Sequence, residues 1–287
     1  MKAMPAILAC TDGSIYAPSI YQLTAWAAQR LAASVEVLHV LDHHRERAAS
    51  IDFSGSIGID ASLHLTEELT KFEEEQGRIA RLKGKAILED ARQQLAATGI
   101  ANVTTTQRHG TLVDTLDELE PRCDLVVIGK RGEHADFAKG HLGGNLQRVI
   151  RAAVRPVLVA ARAFRPIERF LIASDGGPSA TKAIDFALAS PLLKGAACHI
   201  LRAGHVDDRA KWYLEEAAGK LRAGGSEVTS HAVSGEPVTV IAETVKREDI
   251  QLLVMGAYGH SPIRTLILGS TTTTMVRTCL VPVLMFR

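Results

Sequence analysis

Only four cysteines occur in these 287 residues, and none stands near another. Cys10, Cys123, Cys198 and Cys279 form no CxxC pair and fall mostly in apolar segments. That excludes a disulfide framework or a cysteine-rich metal knuckle, and leaves buried reduced thiols of the kind a cytoplasm keeps. An excess of either charge is missing too. Thirty-three Lys and Arg face 32 Asp and Glu, a net charge of +1, and the basic residues are scattered. No nucleic-acid or membrane-surface footprint is expected from such a balance. No apolar run approaches the roughly 20 residues that span a bilayer. Met1-Lys2-Ala3-Met4-Pro5 leads straight into a strand pattern, so no signal peptide is expected. Catalytic signatures are absent as well. Without GxxxxGK[ST] the chain is no classical motor or GTPase, and neither a G-x-S-x-G elbow nor an HExxH helix is present.

What the chain does have is apolar strands alternating with helical periodicity, and the series occurs twice. Ala6–Cys10 is a short apolar run that ends at Thr11-Asp12-Gly13-Ser14, where turn and helix-cap chemistry begins. A helix is expected over 17–33, a strand over 35–41, irregular chain over 42–66, a polar helix from about Glu67 to Ala97, and a strand over 103–107. A short helix from Leu112, the apolar strand Leu125–Ile128, a helix from about Leu146 and the strand 156–160 complete the first half. Phe170–Ala173, ending at Ser174-Asp175-Gly176-Gly177, starts the same order again, and the last strand is 281–286. Landmarks coincide: Asp12 with Asp175, Gly110 with Gly235, Gly129 with Gly256, Gly143 with Gly269, Pro156 with Pro282. A period this long marks a duplicated domain, with the boundary between 163 and 164. Alternating strands and helices call for parallel sheets covered on both faces. Ligands of such sheets bind beyond the carboxyl ends of the strands, where the winding reverses.

In the second half that place is occupied by a glycine-punctuated loop. Met255-Gly256-Ala257-Tyr258-Gly259 is followed, nine residues on, by Gly269-Ser270-Thr271 at the start of a helix. Such a loop brings unpaired backbone N–H groups and a positive helix end together, a setting that favours anions and phosphates above all. The plainer alternatives are turn-forming glycines and an Asp175 that merely caps a helix.

With these residues, the chain resembles the universal stress protein family in its tandem form. Gly256, Gly259, Gly269 and Ser270 match the family's G-x2-G-x9-G-[S/T] loop at every position, and Asp175 matches the Asp that closes its first strand. The resemblance spans nearly the whole chain. It implies α/β architecture: two tandem Rossmann-like (adenine nucleotide alpha hydrolase-like) domains, 1–163 and 164–287, each a five-stranded parallel sheet with helices on both faces. It further implies an adenine-nucleotide site that takes ATP, with or without Mg²⁺. Gly256, Gly259, Gly269, Ser270 and Thr271 would then contact the phosphates. Asp175 would lie by the ribose or hold the metal, and Ala203 and Met255 would be wall positions.

The first half departs from this pattern. Ten residues rather than nine separate Gly132 from Gly143, and Gly144 and Asn145 replace Ser270 and Thr271. Phosphate donors are thereby lost, although Lys130, Arg131 and Lys139 could still draw an anion. The expectation is a degenerate first site and an intact second one. His43, His44, His64, His134 and His141 could supply metal ligands, but their spacing is not diagnostic and scattered surface histidines are the better expectation. The functional expectation is therefore a nucleotide-responsive stress or signalling module in the cytoplasm. Its rivals are a slow Mg²⁺-dependent ATPase and an interaction scaffold with a non-nucleotide ligand. The final strands, 156–160 and 282–286, are expected to pair with each other inside one chain as a pseudo-twofold. Homodimerisation beyond that is left open.

Overall fold

The computed structural model describes residues 4–41, 59–130, 144–257 and 270–287. Apolar runs of four or five residues become its central strands. β1 (Ala6–Cys10), β4 (Leu125–Gly129), β5 (Val157–Ala160), β6 (Arg169–Ala173), β9 (Leu252–Gly256) and β10 (Val283–Phe286) are buried along nearly their whole length. β2 (Ser34–Leu41) and β7 (Ala197–Gly204) flank them. The outermost strands, β3 (Val103–His109) and β8 (Val228–Ser234), are rich in Thr, Ser and charged or amide side chains. Polar outer strands discourage further pairing with other chains.

Among the described residues ten strands form one sheet, in the order β3-β2-β1-β4-β5-β10-β9-β6-β7-β8. Each half is parallel within itself and wound about its first strand, so the two five-stranded halves mirror one another. They join through the expected pairing of the final strands. β5 and β10 run antiparallel, with Val283 opposite Val159, Leu284 opposite Leu158 and Met285 opposite Val157.

Helices cover both faces. α1 (Ala17–Leu31) and α2 (Ile59–Ala97) share a face with α5 (Pro178–Ala189) and α6 (Asp208–Ala223). On the opposite face lie α3 (Leu112–Leu119), α4 (Gly144–Ala152), α7 (Pro237–Arg247) and α8 (Ser270–Thr278). One correction concerns α2. It begins at Ile59 instead of near Glu67, so part of the segment expected to be irregular is helical. Its Glu- and Lys-rich stretch has no apolar stripe to announce a start, and its exposed Glu75–Arg78 and Glu89–Arg92 pairs at i,i+3 support the helix locally.

The core is continuous across the seam. Leu158, Leu284 and Phe286 pack in one cluster with residues of both α1 and α5. Side chains clasp the halves as well. Arg30 Nε donates to Leu192 O at 2.7 Å, and Arg287 Nη1 donates to Ala152 O at 3.1 Å. Lys130 is a second correction. Read in the sequence as a residue that could still draw an anion, it is buried and donates to the carbonyls of Cys279 and, at 3.3 Å, Val281, where α8 ends. A cation there meets the negative end of the helix. All four cysteines are buried free thiols.

Candidate functional site

The crevice of the second half lies where β6 and β9 run side by side, Ala173 beside Met255. On one side of β6, β9 delivers Met255, buried, and Gly256, its last residue. On the other side, β7 delivers the half-buried Ala203. Past β6 the chain turns through Ser174, whose N–H donates to Leu201 O at 2.9 Å. Asp175 follows, its Oδ1 accepting from Gly177 N at 2.8 Å. Gly176 has φ +76, a left-handed conformation that suits glycine. Asp175 is therefore not the N-cap of α5. Gly177 holds that position, and the carboxylate braces the turn before it.

Gly256 is required by the protein's own packing. A Cβ there would lie 2.7 Å from Ser179 Cβ, in the first turn of α5. Its carbonyl accepts from Thr272 Oγ1 at 3.1 Å, which pins the N-terminal turn of α8 to the end of β9. Ser270 and Thr271 open that helix, Ser270 exposed and Thr271 half-buried. The fold thus gathers Asp175, Ala203, Met255, Gly256, Ser270 and Thr271 at the carboxyl ends of three neighbouring strands. Gly259 and Gly269 lie outside the described residues. So do Arg131, Gly132, Lys139 and Gly143 of the first half, and His43, His44, His134 and His141.

Two residues were missed in the sequence. Thr272 is one. The other is Arg202 of β7, whose Nε is buried without a hydrogen-bond partner. It stands in the wall of a cavity of about 590 Å³ between α5 and α6, headed by Ser174 and Asp175 and bordered by Asp185, Tyr213 and Lys220. An arginine following the apolar pair Ile200-Leu201 was the available signal. The first half has the same turn: Gly13 has φ +72, and Asp12 Oδ1 accepts from Ser14 N at 3.0 Å. There, however, α2 closes over it. A Cβ on Gly13 would sit 2.8 Å from Ile87 Cδ1, whereas around Gly176 the nearest atom is Arg202 Nη1 at 4.0 Å. The residue matching Arg202 is His39, buried, with Nδ1 2.9 Å from Thr11 O. One turn is plugged and the other opens on a cavity.

The universal stress protein family model matches residues 4–161 and again 166–287. The chain belongs to the universal stress protein family. The universal stress protein Slr1230 of Synechocystis sp. is 37% identical over 287 residues, covering 99% of this chain and 100% of that protein. Among solved structures, a universal stress protein from Archaeoglobus fulgidus has a TM-score of 0.70 at 23% identity, over 99% of both chains. The functionally unknown protein PA1789 of Pseudomonas aeruginosa has a TM-score of 0.59 at 18% identity, over 99% of this chain and 92% of that one. These two similarities show the fold.

Proposed function

We propose that this universal stress protein binds an adenine nucleotide, ATP, at one site per chain, in a second domain spanning 164–287. The first domain, 1–163, carries a degenerate counterpart. The observation that carries the reading is the convergence of Asp175, at the end of β6, with the N-terminal turn of α8, which Thr272 holds against Gly256. That is the switch point of a parallel sheet, the place where such folds take ligands. The N-terminal amides of α8 suit a polyphosphate, with Ser270, Thr271, Gly259 and Gly269 as its contacts. A carboxylate beside phosphates suits Mg²⁺, which commonly takes one or two protein carboxylates and fills its shell with water and phosphate oxygens. Asp175 is the residue for that role. Bound Mg²⁺ supplies charge neutralisation for the phosphates. The choice of half rests on the turn at Asp175, which is open here onto a cavity walled by α5 and α6 rather than by α8, whereas its counterpart at Gly13 is plugged by Ile87. The role we assign is a nucleotide-responsive stress or signalling module working in the cytoplasm.

Calorimetric titration of the intact chain with ATP and Mg²⁺ tests this. One equivalent should bind, and Asp175→Ala, Ser270→Ala and Gly269→Val should each weaken binding about tenfold or more, the loss expected for one charge-assisted contact. Equal affinity in all four proteins, or no heat, refutes it. Mass spectrometry of ligand released on denaturation separates a nucleotide from another occupant. Hydrolysis compared between wild type and Asp175→Ala tests for turnover.

A further inference from the structure

At the sheet edge farthest from the seam, β7 and β8 pair with Leu201 opposite His231, which places His199 and His231 on one face. That face is covered by α7, whose Val240 and Ile241 pack with Leu201. His199 Nδ1 and His231 Nε2 are 3.0 Å apart. The rings are stacked, 7° from parallel with centroids 5.3 Å apart. Glu248, just past the end of α7, brings a carboxylate oxygen to the pair. The three ligand atoms all lie within 4.8 Å of one another. His199 is buried, while His231 and Glu248 remain partly exposed and reachable from solvent.

The first half shows what the fold itself needs at this spot. By register the matching residues are Glu36 and Thr106, joined by a single 2.6 Å hydrogen bond from Thr106 Oγ1 to Glu36 Oε1. One hydroxyl–carboxylate hydrogen bond is therefore all the first half carries between strands two and three at this level. The second half instead carries two imidazoles and a carboxylate, a donor set in excess of that need.

We propose that His199, His231 and Glu248 bind a transition-metal ion of the zinc class. Two imidazole nitrogens and one carboxylate suit Zn²⁺, whereas Mg²⁺ and Ca²⁺ prefer oxygen ligands. The dimensions agree. Ligands about 2.1 Å from a tetrahedral ion stand about 3.4 Å apart. The two nitrogens need to part by a few tenths of an ångström, and the Glu248 oxygen needs to move in by at most about 1.4 Å, a rotation open to a partly exposed side chain. Glu248 now pairs with Arg247 at 2.7 Å, a contact exposed enough to yield to a metal. Three protein ligands leave a fourth position for water. Glu248 leads into the beginning of β9, while Asp175 follows the end of β6, so the ion sits at the opposite end of the sheet from the proposed nucleotide. It fastens the end of α7 to the β7–β8 edge, and it does not depend on nucleotide binding.

The test uses the full chain, stripped with EDTA, in calorimetric titrations with Zn²⁺ and Mg²⁺ and in visible spectra with Co²⁺. One equivalent of Zn²⁺ should bind, Mg²⁺ should not compete, and Co²⁺ should give the strong bands of a tetrahedral complex. His231→Gln should abolish saturable binding. Glu248→Gln, a surface change that leaves packing intact, should weaken it about tenfold or more. A His43→Gln/His44→Gln variant should bind as wild type does. Absence of saturable Zn²⁺ binding, or wild-type affinity in either Glu248→Gln or His231→Gln, overturns the assignment.

Discussion

Replacing Gly256 by Ala tests whether this glycine serves the packing of the second half before any ligand arrives. The added methyl would meet Ser179 Cβ at 2.7 Å, with Ser179 C at 3.5 Å and Ala180 N at 3.6 Å behind it. Carbon atoms rest at about 3.5–4.0 Å, so the first turn of α5 has to withdraw by roughly 0.8 Å. It is not free to do so, because Ala180 and Ala183 are fully buried against the sheet. Overpacking of this kind costs about 1–3 kcal/mol. For a cooperative unit of this size each kcal/mol lowers Tm by about 2–4 °C, so the variant should melt about 2–12 °C lower. Calorimetric melting without nucleotide isolates the packing effect from any lost binding. Ser179→Gly removes the clashing carbon and alone costs about 1 kcal/mol for glycine in a helix. The double variant should recover stability, with a coupling energy of about 1 kcal/mol or more. Wild-type melting of Gly256→Ala, or additivity within about 0.5 kcal/mol, would falsify the packing argument.

Other substitutions probe the contacts described above. Lys130→Met removes the donor to the Cys279 and Val281 carbonyls and should cost about 1–3 kcal/mol, read as a lower urea midpoint at unchanged slope. Thr272→Val frees the α8 turn from Gly256 and should cost about 1 kcal/mol in the same assay. Asp207→Ala deletes the side chain that takes the Ala210 N–H at 2.7 Å and should lower the urea midpoint, while Asp207→Asn should restore most of it. Burial pushes the Cys123 and Cys198 thiols up to about 12. At pH 8 both should react with a maleimide more than about a thousandfold slower in the native protein than in urea, as peptide mapping would show.

Much of this architecture was legible because it rests on local pattern. Leu125–Ile128 and Leu252–Met255 are apolar on both faces, which only a central parallel strand requires. The landmark glycines and aspartates made the duplication visible, and the short apolar final strands pointed to the seam that Leu158 and Leu284 now form. What escaped depends on partners distant in sequence. Lys130 looked like an anion attractor because nothing nearby shows that the end of α8, some 150 residues on, receives it. Arg202 was unremarked for the same reason: its meaning depends on α6 standing off where α2 closes in. His199 and His231 are 32 residues apart and become neighbours only through the register of β7 and β8. The start of α2 was missed because charged i,i+3 pairs, not an apolar face, sustain that helix.

The antiparallel seam between β5 and β10 carries an evolutionary freedom. Were the same edge-to-edge contact made by two identical chains, every change in one ligand pocket would be copied into the other. Tethering supplies the second edge at high effective concentration, so the contact survives whatever happens to either pocket. Each copy can then drift alone: one turn has been sealed by Ile87, and its twin still opens beside Asp175. Asymmetry of this sort is what a gene duplication makes possible and a homodimer forbids.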